Sequence, residues 1–77
     1  MPLSYQEYIA ITPGKRSGKP CIKHTRITVY DVLGWLAQGL SVEAILEDYP
    51  ELTADQIQAC LAYAADREHH LLSINAA

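Results

Sequence analysis

The sequence predicts a mostly α-helical single domain of helix-turn-helix type, with three helices preceded by short β-strands. After position 28, apolar residues recur at the spacing of an amphipathic helix in three successive segments. Each segment begins at a residue that commonly caps helices. Only a few residues separate the last two segments, as in a helix-turn-helix motif. We therefore expect strands and a basic loop over residues 1–28, a three-helix bundle over 29–72 and a frayed tail over 73–77.

Short extended segments are predicted before the first helix. Tyr8–Thr12 has the composition of a strand and ends at a Pro-Gly turn. Pro20–Ile22 and Arg26–Thr28 are predicted to pair as a hairpin around a turn at residues 23–25. The loop between the first strand and this hairpin is basic.

The first helix is predicted to begin at Thr28 and to end at Gly39. Thr28 is a capping residue, and the negative charge of Asp31 in the first turn suits the helix dipole. Gly39 fits the left-handed position that follows a helix. The apolar side of this helix consists of Val29, Val32, Leu33 and Leu36.

The second and third helices have equally clear boundaries. Ser41 caps the second helix and Pro50 ends it. Thr53 and Gln56 match a Thr-x-x-Gln capping box for the third helix, which we expect to reach about Leu72. The apolar side of the second helix consists of Val42, Ile45, Leu46 and Tyr49. The apolar side of the third helix consists of Ile57, Cys60, Leu61 and Ala64.

The size and composition predict a small protein that associates with itself. A chain of 77 residues supports only a small core, and 49% of its residues are hydrophobic. Cys21 and Cys60 do not make a disulfide framework. The sequence has neither a signal-peptide pattern nor an apolar run of membrane-spanning length. We therefore expect a cytoplasmic homodimer with no membrane association.

Basic residues are concentrated near the N-terminus. Eight of the nine acidic residues follow position 30, and none lies within the basic segment 15–26. This asymmetry favours an anionic partner, although a loop that is merely solvated has the same pattern. Arg26 also has the alternative of pairing with Asp31 in its own fold. The candidate nucleic-acid-binding residues are Lys15, Arg16, Lys19, Lys23 and Arg26.

The third helix is a weak candidate for reading DNA bases, even though the second helix of such a motif often does so. Its outward positions include Asp55, Gln58 and Asp66, and no Lys or Arg occurs in it before Arg67. Phosphate neutralisation supplies most of the affinity for DNA, and the aspartates oppose it. The basic segment is therefore the better candidate.

Three aromatic residues are candidates for an interface. Trp35 and Tyr30 lie off the apolar side of the first helix, where Trp35 either covers the domain's own core or anchors a partner. Tyr63 lies beside the apolar side of the third helix, among alanines that would allow a second copy to approach closely. These alanines are Ala59, Ala62 and Ala65.

No residue pattern predicts catalysis, a metal site or a cofactor. Cys21 and His24 lie three positions apart, but the second ligand pair of a zinc site is missing. Gly14–Lys19 lacks the glycine spacing and the hydroxyl residue of a phosphate-binding loop. His69 and His70 fit the end of the third helix, where a positive charge is favourable. We expect a protein that is not an enzyme, with no catalytic residue, no metal and no cofactor.

Three segments in succession resemble one bacterial family. Ser17–Val29 reads Ser-Gly-Lys-Pro-Cys-Ile-Lys-His-Thr-Arg-Ile-Thr-Val, and Leu36–Pro50 and Leu52-Thr53 follow it. Together they resemble the family called domain of unknown function 433, over residues 8–66. His24 stands where that family often has glycine. A glycine would indicate a turn with positive φ, which histidine tolerates less well, so the turn geometry is open at this point.

The resemblance implies a fold and a partner class. Members of this family look like homeodomain-like three-helix bundles preceded by small strands. Some are antitoxins that bind a PIN-like ribonuclease toxin and their own operator DNA. The resemblance therefore implies an antitoxin-like protein with these two partners. The alternative is a dimeric protein-interaction module with no nucleic-acid role.

Overall fold

The computed structural model describes the backbone of residues 5–76 and the side chains of residues 5–68. Two short strands and two single 3₁₀ turns precede three helices. The 3₁₀ turns are Tyr5–Glu7 and Arg16–Gly18. The strands are β1 (Ile9–Ile11) and β2 (Pro20–Ile22), and the helices are α1 (Val29–Ala37), α2 (Val42–Asp48) and α3 (Ala54–Ala76). The mostly helical fold with N-terminal strands is therefore confirmed.

The two strands pair with each other across the basic loop. They run antiparallel, with Ile9 opposite Ile22 and Ile11 opposite Pro20. The predicted second strand of the hairpin is reduced to one bridge between Cys21 and Thr28 and a 2.9 Å hydrogen bond from the Ile22 N–H to the Ile27 carbonyl. A longer strand ladder does not form here because Thr28 already serves as the N-terminal capping residue of α1.

Two reciprocal hydrogen bonds between Thr28 and Asp31 cap the N-terminus of α1. The Asp31 N–H donates to Thr28 Oγ1 at 2.9 Å, and the Thr28 N–H donates to Asp31 Oδ2 at 3.1 Å. This is a capping box in which aspartate takes the place that glutamate commonly fills. At the other end, Gly39 adopts φ +96° directly after the C-cap Gln38. Both predicted ends of α1 are confirmed.

The other two helices begin as predicted. The Ala44 N–H donates to Ser41 Oγ at 3.1 Å. At α3, the Thr53 N–H donates to Gln56 Oε1 at 2.8 Å and the Gln56 N–H donates to Thr53 Oγ1 at 3.2 Å. The backbone of α3 continues to Ala76, beyond the end that the sequence predicts near Leu72.

One apolar core joins the strands to all three helices. Its centre consists of Ile22 from β2, Val32 from α1, Ile45 from α2 and Ile57 from α3, each at most 1% exposed. Every one of these positions belongs to a strand or apolar side that the sequence predicts, so local periodicity located the centre of the core.

The buried side of α3 agrees with the prediction at Ile57 and Cys60 and differs from it at two other positions. Leu61 is 38% exposed, so its assignment to the apolar side was wrong, whereas Ala59 is completely buried within the chain. The expectation that Ala59 faces a second copy is therefore also wrong. Ala59 belongs to the core cluster, in keeping with the contacts that α3 makes with α1, α2 and β1.

Candidate functional site

A surface groove beside the strand pair collects part of the basic segment. It has a volume of about 270 Å³ and we call it the basic groove. Its lining residues are Ala10, Thr12, Lys15, Cys21, Ile22, Lys23 and His24. No acidic side chain belongs to this lining. Lys15 and Lys23 are both half-buried, which places two cationic side chains along one small concavity.

A tight turn after β2 positions Lys23 and His24. The Lys23 N–H donates to the Tyr8 carbonyl at 2.7 Å, which ties the turn to the start of β1. The Thr25 hydroxyl donates to the Ile22 carbonyl at 2.9 Å and accepts from the Ile27 N–H at 3.0 Å. These bonds account for the backbone polar groups on both sides of the turn.

His24 adopts the left-handed conformation that glycine would provide at this position, with φ +66°. Histidine is among the non-glycine residues that enter this region more often than most. The turn geometry that the sequence left open is therefore the glycine-like one. A further consequence is that an imidazole is added to the lining of the basic groove.

Arg16 fastens the basic loop to the start of α1. Its Nη1 lies 3.2 Å from Asp31 Oδ2 and donates to the Arg26 carbonyl at 2.6 Å. The carboxylate of Asp31 thus pairs with Arg16 and not with Arg26, which was the sequence alternative. Arg26 keeps an exposed side chain and contributes only its backbone oxygen to this contact.

The charge and hydrogen bonds around Asp31 favour its ionised form. Partial burial alone would raise the pKa of Asp31, but hydrogen bonds from Thr28 and the nearby Arg16 guanidinium outweigh burial. The pKa therefore lies below the ordinary value for an aspartate. Arg16 thereby has a structural use, which sets it apart from the other basic residues of segment 15–26.

The loop that carries Arg16 has an unusual backbone. Arg16, Ser17 and Gly18 are consecutive residues with positive φ, at 48°, 60° and 76°. For residues other than glycine this conformation costs roughly 1–2 kcal/mol each. The two hydrogen bonds of the Arg16 guanidinium hold the loop in this conformation, with Lys15 on the side of the basic groove.

The remaining cations of the segment pair with no carboxylate among the described residues. Within residues 5–68, neither Lys15 nor Lys23 forms an ion pair, and the same is true of Arg26. Lys19 is exposed, and its Nζ lies 5.9 Å from the centre of the Tyr30 ring. Four of the five predicted nucleic-acid-binding side chains therefore carry charges that no carboxylate in the described residues neutralises.

The exposed side of α3 does not resemble a DNA-reading surface. The Gln56 side chain is occupied by the capping box, and Asp55 and Gln58 are exposed beside it. The first cation of α3 is Arg67, which lies 5.9 Å from the centre of the Tyr63 ring. The start of α3 is consequently acidic and polar, as the sequence indicates.

Of the three predicted interface aromatics, two have ring partners within the chain. Trp35 stacks on Tyr49, with ring centres 4.5 Å apart and planes inclined by 15°. Tyr63 meets Tyr5 edge to face at 5.4 Å. Tyr30 is 74% exposed, and its ring contact is the cation of Lys19.

The described residues offer no cluster for metal chemistry. Among them, no group of three or more His, Cys, Asp or Glu side chains could hold a metal ion. Burial raises the pKa of the Cys60 thiol to about 12, so a thiolate is scarce at neutral pH. The side chains of His69 and His70 lie outside the described residues. Within the described residues, no helix combines the length and apolar character needed to cross a membrane.

Known proteins with similar sequences identify the family. Residues 9–64 match the family described as proteins of unknown function, DUF433. This chain belongs to the DUF433 family. It is 39% identical over 59 residues to the uncharacterized protein y4eO of Sinorhizobium fredii (strain NBRC 101917 / NGR234), a match that covers 77% of this chain and 27% of y4eO. The chain therefore spans about a quarter of the length of that relative.

A solved structure confirms the fold. The crystal structure of a DUF433 member from Anabaena variabilis ATCC 29413 superposes with a TM-score of 0.78 and 32% sequence identity. The match covers 94% of this chain and 71% of the other chain. The strands and helices described above are therefore the architecture of the DUF433 fold.

Sequence reasoning missed two residues of the basic groove. Thr12 follows β1 directly, and His24 follows Lys23, which the sequence did single out. Neither has a side-chain type that marks it as a ligand-binding residue in isolation. They join the groove because β1 pairs antiparallel with β2, so that the groove runs along the strand pair from Thr12 at one end, past the paired Ala10 and Cys21, to Lys23 and His24 at the other end.

Proposed function

We propose that this protein is a non-enzymatic, antitoxin-like binding module. It holds the phosphate backbone of its operator DNA in the basic groove and binds a PIN-like ribonuclease toxin. The observation that carries the DNA proposal is the juxtaposition of Lys15, Lys23 and His24 in one groove with no acidic side chain in its lining.

The chemistry of the basic groove suits a phosphodiester. Two lysine ammonium groups provide positive charge and donate hydrogen bonds to phosphate oxygens, and the Thr12 hydroxyl is a further donor. Lys19 and Arg26 extend the positive charge beyond the groove, on the exposed part of the same segment. Contacts of this kind give affinity and orientation without selecting a base sequence.

The toxin proposal is supported by a separate acidic surface. The exposed carboxylates of α2 and of the residues that follow it are Glu43, Glu47, Asp48, Glu51 and Asp55. A ribonuclease needs a positively charged surface to bind RNA, and an acidic surface is complementary to it. Blocking that surface would inhibit the enzyme without any reaction by this chain.

The DNA proposal predicts that K15Q/K23Q weakens operator binding. We expect the dissociation constant for the DNA immediately upstream of the gene to rise at least about tenfold. The plot of log affinity against log salt concentration should become shallower, by an amount equivalent to the loss of about two phosphate contacts. Fluorescence anisotropy over a salt series measures both. The matched control is Q38E/Q58E, which changes the net charge by the same two units at exposed positions outside the groove.

Two results would contradict the DNA proposal. The first is an equal loss of affinity in the variant and in its charge-matched control, since net charge alone would then explain binding. The second is the absence of binding by the unaltered protein at low salt. Arg16 is left unchanged because its loss would also break the ion pair with Asp31 and disturb the loop, so that lost affinity could not be attributed to lost phosphate contacts.

The toxin proposal predicts a stable complex with a neighbouring gene product. We expect the tagged protein, expressed with its flanking genes, to retain an adjacent ribonuclease-like protein that mass spectrometry identifies. E43K/E47K should release that protein, whereas K15Q/K23Q should retain it. Recovery of the chain without a ribonuclease, or unchanged capture by the charge-reversal variant, would oppose the proposal.

The alternative function, a dimeric interaction module without a nucleic-acid role, is favoured by a different observation. A second groove, between α1 and α3, has a mostly apolar lining. A protein that dimerises through this groove and shows no DNA binding in the anisotropy experiment would fit the alternative.

A further inference from the structure

The groove between α1 and α3 has the features of an unoccupied contact surface. It has a volume of about 260 Å³, and we call it the α1–α3 groove. Pro20, Tyr30, Leu33 and Tyr63 are among its apolar lining residues, and Arg67 and Glu68 are its charged ones. None of these residues lines the basic groove.

Tyr30 is the exposed aromatic residue of this surface. It lies in the first turn of α1, and 74% of it is accessible to solvent. Leu33 and Tyr63, by contrast, pack against the core and form a fixed floor beside it. Tyrosine on a preformed apolar floor is typical of the residues that contribute most to protein interfaces.

The charges of the α1–α3 groove make it complementary to itself. Arg67 and Glu68 place one cation and one anion next to each other on α3. In a two-fold dimer the same surface meets itself, so a surface with both signs can pair its cation with the anion of the other copy. A surface with charges of one sign would repel its own copy.

The other two surfaces of the molecule lack this property. The basic groove has cations without an acidic lining residue, and the exposed carboxylates of α2 and the α2–α3 turn share a negative sign. The α1–α3 groove is therefore the one of these three surfaces on which two copies would meet without like-charge repulsion.

We infer that a second copy of this chain docks on the α1–α3 groove through a two-fold axis. Tyr30 of each copy covers the apolar floor of the other, and Arg67 of each copy faces Glu68 of the other. A small domain gains stability from such burial because its own core is limited. This inference is independent of whether the protein binds DNA or a toxin.

Sedimentation equilibrium over a concentration series tests the inference. We expect the unaltered protein to approach twice its monomer mass of 8.5 kDa at micromolar concentration. Y30E should raise the dimer dissociation constant by at least about tenfold, since it places an anion on the apolar contact. The control is L40E, an equally charged change at an exposed apolar position outside the groove.

A charge exchange gives a second, more specific readout. R67E and E68R should each weaken self-association, because each leaves the groove with charges of one sign. An equal mixture of the two variants should form a heterodimer, which native mass spectrometry distinguishes by mass. Circular dichroism of each variant verifies that it remains folded.

Several outcomes would overturn the inference. They are a monomeric unaltered protein at micromolar concentration, a dimer that Y30E leaves unchanged, and a mixture of R67E and E68R that stays unassociated. A monomer that still binds operator DNA would reject this dimer surface and leave the proposed DNA function intact.

Discussion

Single side chains in this protein connect segments that are distant in sequence. The Arg16 guanidinium contacts both the Arg26 carbonyl and the Asp31 carboxylate, and so fastens the basic loop to the first turn of α1. His24 holds a left-handed turn that aims its neighbour Lys23 along the basic groove. The position of the groove cations therefore depends on residues that need not touch a ligand.

Asp31 is the residue at which this arrangement predicts a pH dependence. Its pKa in the folded protein lies below the ordinary value of 3.8. The folded state therefore binds fewer protons than the unfolded state near that pH. The stability that Asp31 contributes is present above pH 3.8 and is lost as the pH falls through the folded-state pKa.

D31N should lower the free energy of unfolding by about 1 kcal/mol at neutral pH, since the Thr28 N–H and the Arg16 guanidinium would no longer donate to a charged acceptor. The difference from the unaltered protein should disappear in acid, where the native carboxyl is protonated as well. Urea unfolding across a pH series measures this. D48N, which neutralises an exposed carboxylate at the end of α2, is the control. Identical unfolding curves for D31N and the unaltered protein at neutral pH would reject the role of Asp31.

At the scale of elements, capping determines where each helix begins and tertiary contact determines which side it buries. In each of the three helices, a side-chain cap directly precedes the first helical residue, and the caps are Thr28, Ser41 and Thr53. The buried side of α3 follows from its neighbours instead. This explains why Ala59 is completely buried while Leu61, a larger apolar residue, is 38% exposed.

The different burial of Ile57 and Leu61 on α3 predicts unequal costs for two truncations. I57A should lower the free energy of unfolding by about 2–5 kcal/mol, because Ile57 is 1% exposed and its loss leaves a cavity. L61A should cost less than I57A, since Leu61 is 38% exposed and has less burial to lose. Chemical denaturation of both variants measures the difference. Equal costs would mean that Leu61 belongs to the buried side of α3, as periodicity predicts.

At the scale of the whole molecule, three chemically different surfaces surround one small core. The basic groove lies beside the strand pair, the exposed carboxylates belong to α2 and the residues after it, and the α1–α3 groove is apolar with charges of both signs. Each surface corresponds to a different one of the partners proposed above: a phosphate backbone, a basic protein surface and a second copy. Because the three surfaces are separate, a variant of one surface should leave the proposed contacts of the other two intact.

The local features of this protein were determined by its sequence. Helix caps join residues three positions apart, so the cap at Thr28, the capping box at Thr53 and the end of α1 at Gly39 were predicted from nearby residues in the sequence. The centre of the core followed from apolar periodicity for the same reason. The concentration of positive charge in segment 15–26 is likewise a property of the sequence alone.

The tertiary structure decided which of these residues share a site. Pairing of β1 with β2 places Thr12, Lys23 and His24 along one groove. The path of the basic loop pairs Asp31 with Arg16 and leaves the Arg26 side chain exposed. No local rule contains this information, because the partners are separated by ten or more residues and meet only once the chain is folded. Long-range packing likewise selects which side of α3 is buried, since several elements contact that helix simultaneously and their positions outweigh its own periodicity.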